Sequence, residues 1–178
     1  MPLTPLHHPL AYFIYKFSNQ LSLPALIVGC MTPDIENPFI TLLSDTTTPN
    51  RLVLHSILGA VTIGTVLAVI FTTKAYPYLV NKLFHVEKQK VANKCKFSFS
   101  LVISAMIGNL SHVLLDVMNH PYNPIFWPFQ SAIETQSPIY FALGDPFGSL
   151  YMQIIMGALL VVLIFVKRKN VYEELLVG

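Results

Sequence analysis

The run from Phe97 to Met118 constrains this chain more than any other segment. Almost every residue from Phe97 to Leu110 is apolar or small, and the run then continues into H-V-L-L-D-V-M-N-H, from His112 through Asp116 to His120. About 20 apolar residues suffice for a helix to cross a bilayer. Residues four apart on a helix form a slowly drifting stripe on one face. Three side chains with metal-ligand chemistry therefore line up near one end of a membrane-length helix. Ionisable groups in such a segment are expensive, which makes them functional candidates. A capping and hydrogen-bonding set at a helix end accounts for the same residues without a function.

Composition agrees with a membrane setting. Hydrophobic residues make up 53% of the 178 and charged residues 11%, against about 25% charged in an ordinary soluble domain. The expected fold is all-α: a single-domain integral membrane bundle with three spanning helices, Leu52–Thr73, Phe97–Met118 and Leu150–Val166. The last ends on Lys167, Arg168 and Lys169. Pro9–Phe17 and Leu23–Met31 are apolar but too short to span, so they read as interfacial or packed helices, or as a re-entrant hairpin. The start lacks the basic region of a signal peptide. Cys30 and Cys95 form no framework and read as free thiols.

Orientation follows from the basic residues. Lys74, Lys82, Lys88, Lys90, Lys94 and Lys96 lie between the first two spans, and Lys167, Arg168 and Lys169 follow the third; of eleven basic residues only Lys16 and Arg51 stand elsewhere. The positive-inside rule makes 74–96 a cytoplasmic loop and places 1–51 and 119–149 outside. The lysines need no nucleic acid to explain them, because topology and anionic headgroups suffice.

The same topology sorts the histidines. His7, His8, His55, His112 and His120 all fall toward the outer face, with Asp34, Glu36, Asp45, Asp116, Glu134 and Asp145; His85, in the lysine loop, is the exception. Imidazole plus carboxylate is the ligand set of zinc or a similar divalent ion. The C-terminus of a helix also favours a cation.

Several segments resemble a known family, the small membrane-bound metal-dependent hydrolases. They are M-P-L-T-P-L-H ending at His7, G-C-M-T-P-D-I-E from Gly29 to Glu36, L-H-S-I-L-G from Leu54 to Gly59, and G-N-L-S-H-V-L-L-D from Gly108 to Asp116, running on into H-P-Y-N-P-I-F-W-P to Pro128. More distantly the pattern is similar to the zinc-dependent phospholipases C and single-strand nucleases. The resemblance covers the N-terminal two-thirds of the chain. It implies that His7, Asp34, His55, His112 and Asp116 are metal ligands, with Asp116 bridging two ions and Asp34 a ligand or the base for an attacking water. The soluble relatives also use a free N-terminal amine and a second H-x-x-x-E pair. Here only His120 and Glu134 stand nearby, so the resemblance implies one or two ions, with His120 a further candidate ligand.

Other residues carry two readings each. Asn109 and Glu36 can shape the shell that orients the histidines, although an asparagine in such a helix also serves helix–helix hydrogen bonding. His8 reads as a helix-start residue, or it can exchange roles with His7. Thr32-Pro33-Asp34 also suits an N-cap and turn. Tyr122, Phe126, Trp127 and Phe129 read as an interfacial aromatic belt, or as a lip for an acyl or prenyl chain. Gln130–Gly148 reads as an outer loop. The function expected is metal-dependent hydrolysis of a phosphoester, either a lipid headgroup or a small substrate, at the extracytoplasmic face of the cell membrane. The alternative is a non-catalytic metal-binding membrane protein or transporter subunit.

Overall fold

The computed structural model describes residues 4–18, 20–43, 51–130, 137–144 and 147–178. Asp45, Glu134 and Asp145 lie outside the described residues. Pro9 and Pro24 each stand in a first helical turn, where the missing N–H costs nothing. After a 3-10 turn at Thr4–His7 they open α1 (His8–Phe17) and α2 (Leu23–Met31). The two helices form a hairpin. α2 is buried at every residue from Leu23 to Cys30, as befits a helix that is apolar all round. The second N-terminal run is therefore a packed helix, while α1 buries Pro9, Ala11 and Tyr12 and exposes Phe13 and Phe17. A second 3-10 turn, Pro33–Ile35, leads into α3 (Glu36–Leu43).

Ser56 caps α4 (Ile57–Lys74), its Oγ accepting the Gly59 N–H at 2.9 Å. Within α4, Ala60–Gly64 is wound as a π-helix, and the Thr65 hydroxyl donates to the Ala60 carbonyl. α5 (Tyr76–Phe84) and α6 (Lys88–Lys94) occupy most of the expected 74–96 loop. Ser98 caps α7 (Phe99–Asn119) by accepting the Leu101 N–H. α8 (Pro138–Leu143), α9 (Phe147–Val166) and α10 (Val171–Leu176) complete the chain. The segment expected as an outer loop thus contains α8, which Pro138 opens from its first turn. The fold is all-α, with no strand among the described residues.

Two helices are long and apolar enough to cross a membrane, Ile57–Lys74 and Phe99–Met118. The expected third span lies in α9, where the apolar stretch Leu150–Val166 is shorter. At about 1.5 Å per residue it reaches about 25 Å, less than the roughly 30 Å of a hydrocarbon core. Large apolar side chains stand exposed on α4 (Ile63, Val66, Ile70) and α9 (Ile154, Val162, Phe165).

α2 and α7 form the centre of the fold and run parallel. Near their starts the Ser22 N–H donates to Ser104 Oγ at 2.8 Å, and Ser22 Oγ donates to the Lys94 carbonyl. At their far ends Cys30 meets His112. Between these points Gly29 and Gly108 face each other. A methyl group at either position would run into backbone, at the Ala105 carbonyl or the Leu26 carbonyl. Small residues let two helices approach this closely. The contact fixes the register of α2 against α7, and with it the position of the turn that carries Asp34.

Candidate metal centre

α7 projects His112 and Asp116 from one face, and both are buried. His112 Nδ1 lies 2.6 Å from the Cys30 carbonyl oxygen. A carbonyl only accepts, so Nδ1 is a donor, which in the neutral imidazole leaves the lone pair on Nε2. That Nε2 lies 3.4 Å from Asp116 Oδ2 and 3.6 Å from Asp34 Oδ1. The α2 C-terminus thus orients a side chain from α7, a pairing set by the Gly29–Gly108 contact.

His55 sits just before the Ser56 cap of α4. Its Nδ1 lies 2.6 Å from Glu36 Oε1, and its Nε2 lies 3.5 Å from Asp116 Oδ2 and 3.7 Å from Asp34 Oδ1. Glu36 also accepts the N–H groups of Leu52 and Leu54, each at 2.8 Å. Burial pushes the Glu36 carboxyl up, but the His55 bond and these two N–H groups outweigh it and leave the carboxyl below its usual range. Glu36 is therefore an anion that fixes both the His55 ring and the backbone leading to it.

His7, at the end of the first 3-10 turn, stacks on His112 with ring centroids 4.2 Å apart, and its Nε2 lies 3.9 Å from Asp116 Oδ1. His120, the C-cap of α7, has Nε2 3.8 Å from the same oxygen. Burial, then the nearby Arg51 charge, pushes the His120 imidazole down to about 3, so it is neutral. Asp34 Oδ1 accepts from the Asn37 amide at 3.0 Å.

Two overlapping groups can hold a metal ion: His7, His112 and Asp116, and Asp34, His55 and His112, the ligand atoms of each lying within 4.8 Å of one another. The donor chemistry fits a divalent ion. Two ligands on a tetrahedral ion at about 2.0–2.1 Å stand about 3.3 Å apart, close to the shorter separations here. The inward Nε2 atoms of His55, His112 and His120 are buried and face carboxylate oxygens at 3.4–3.8 Å, outside regular hydrogen-bond geometry. Buried polar atoms of this kind call for an explanation, and a cation between His55 and His112 supplies one for those two; His120 falls in neither group. His112 has one nitrogen turned inward and can serve one ion at a time, so a second adjacent ion would have to be reached through Asp116, whose two oxygens face different histidines.

Several residues divide differently from their alternatives. His8 turns away and bonds the Leu175 carbonyl at 2.7 Å, so His7 alone of the pair reaches the cluster. The Thr32 hydroxyl donates back to the Val28 carbonyl, and no side-chain cap forms on the turn that holds Asp34. Among the described residues Asn109 makes no hydrogen bond to a histidine or to another helix: its amide donates within α7 to the Ala105 carbonyl, and its oxygen lies against Gly64 of α4. Cys30 and Cys95 are free thiols. His85 is exposed and remote.

Arg51 is the residue that sequence reasoning passed over. Its side chain is buried, with Nη2 3.2 Å from Asp116 Oδ2 and Nη1 donating to Asn123 Oδ1 at 3.2 Å. Asn123 in turn donates to the His120 carbonyl. Arg51 places a positive charge beside the carboxylates. The signal was available: it is the one basic residue of the segment between α3 and α4, far in sequence from every lysine cluster.

Helices and site together define the class, an α-helical protein with a buried histidine–carboxylate cluster able to hold a divalent metal. The chain belongs to the family described as Domain of unknown function (DUF4184), whose model matches residues 1–175. No curated protein and no solved structure matches it.

Proposed function

We propose that this protein is a membrane-embedded, metal-dependent hydrolase of phosphoesters, as its resemblance to membrane-bound metal-dependent hydrolases implies. One observation carries the reading: His55 and His112 each have Nδ1 fixed by an acceptor, Glu36 and the Cys30 carbonyl, while Nε2 turns toward Asp34 and Asp116. Ligand histidines in metalloenzymes are oriented in this way.

His7, His55, His112, Asp34 and Asp116 would hold one or two ions, zinc or another divalent metal, with His120 adjacent. A divalent ion supplies Lewis acidity and an acidified water. The chain supplies the rest. Asp116 is near His7, His55, His112 and His120 at 3.4–3.9 Å, the position a bridging carboxylate needs. Arg51, whose two Nη atoms already contact Asp116 and Asn123, would bring positive charge to a phosphoryl oxygen through its remaining N–H donors. Asp34 would be either a ligand or, in its place, the base that takes a proton from the attacking water.

In the membrane, α4, α7 and the shorter α9 are the spans. The exposed apolar side chains face lipid, as such surfaces require. The lysine-bearing α6 adjoins the opposite end of the α2–α7 pair from His112. With the lysines in the cytoplasm, the cluster lies toward the extracytoplasmic side. The near-complete burial of His7, His55 and His112 favours a second reading, a site that binds metal without turnover. Zinc-loaded and chelator-stripped protein should be compared on lipid, nucleotide and aryl phosphoesters. Hydrolysis by the loaded form alone supports the enzyme; loaded protein that cleaves none of them leaves the binding protein.

A further inference from the structure

Beside the cluster lies a cavity of about 700 Å³. It is walled by α2, α5, α9 and α10, and its lining is almost wholly apolar, with Val28, Leu79, Leu160 and Ile164 among the contributors. Asp34 stands in the same wall. The carboxylate that faces His55 and His112 therefore also borders the apolar space. Two specific bonds anchor the C-terminal helix in the wall of this partly open cavity: the Tyr76 hydroxyl donates to the Leu176 carbonyl at 2.8 Å, and His8 Nε2 bonds the Leu175 carbonyl. The volume falls within the roughly 300–1,000 Å³ of small-molecule sites.

We infer that this cavity receives the hydrocarbon chain of a membrane lipid whose phosphate headgroup sits at the His–Asp cluster. The headgroup half of the inference rests on the function proposed above; the chain half rests on the cavity. A small water-soluble phosphoester has nothing to place against such a lining. A ligand with a phosphate at one end and a long alkyl or isoprenoid chain at the other satisfies both parts of the site. Arg51 and the cluster meet the anion, and the cavity removes the chain from water.

Site-resolved photolabelling tests this. Full-length protein held in amphipol is irradiated with a diazirine-bearing hexadecyl phosphate, and adducts are mapped by mass spectrometry. Adducts on cavity residues of α5 and α9 are expected, displaced by alkyl phosphates more strongly as their chains lengthen. Each added methylene should strengthen displacement by up to about fourfold until the cavity is filled. The double variant Leu79→Trp, Leu160→Trp should cut cavity labelling more than tenfold and leave bound metal unchanged. If that variant does not fold, the chain-length series on the natural protein decides alone. Adducts spread over outward residues such as Ile63 and Phe165, or displacement independent of chain length, would overturn the inference. So would cross-links joining the cavity to a second copy of the chain. Failure of the protein to bind metal removes the hydrolase reading, while the labelling pattern still reports on the cavity.

Discussion

Glu36 holds His55 from behind: Oε1 lies 2.6 Å from Nδ1, and the same carboxylate accepts the N–H groups of Leu52 and Leu54. One side chain thus orients the ring of a candidate ligand and sets the path of the backbone that delivers it. Glu36→Gln keeps the size and loses the charge. Metal affinity should fall about 10- to 100-fold, the usual cost of losing such a partner. Competition with a chromophoric chelator measures it, and affinity equal to that of the natural protein would show that Glu36 does not orient His55.

Gly108 tests the link between helix packing and the cluster. A methyl group there meets the Leu26 carbonyl, a backbone atom that cannot rotate away. Gly108→Ala should destabilise the protein by about 1–3 kcal/mol, read as a lower unfolding temperature in detergent. Metal affinity should fall with it, because α2 carries both the Cys30 carbonyl and the turn to Asp34. A stable Gly108→Ala protein with full affinity would mean that the register of α2 does not set the site.

How much of this was legible in the sequence differs from residue to residue. His112, Asp116 and His120 were readable as a stripe because helical spacing converts directly into a face. Asp34 and His55 come from separate elements, and their nomination needed the family resemblance as well as their chemistry. The backbone acceptor for His112 was not readable, since no residue identity announces that the Cys30 carbonyl is turned inward. Arg51 was missed because a lone arginine near a span reads first as a topology signal. In the fold, α1 and α2 stood out as apolar runs. α5 and α6 did not, because lysine-rich amphipathic segments look like loops when their partners are unknown.

Arg51 has a separable role. Arg51→Gln removes the charge beside Asp116 and takes no ligand away, so bound metal should stay at the level of the natural protein. Hydrolysis should fall by about 100-fold or more, the scale seen when one donor to a developing negative charge is lost. Loss of metal together with activity would make Arg51 a support of the cluster instead.

Orientation is open to a direct check. A membrane-impermeant amine reagent applied to intact cells should miss Lys88, Lys90 and Lys94, and should reach them once the membrane is opened. Labelling of these lysines from outside would move the cluster to the cytoplasmic side.

Whether the His–Asp cluster holds divalent metal is settled by elemental analysis of protein purified without chelators, set beside Asp116→Asn and His85→Ala. One or two divalent ions per chain are expected, lost in Asp116→Asn and kept in His85→Ala, with both variants folded. Folded natural protein that retains no divalent ion, even after incubation with zinc, would contradict a metal centre here.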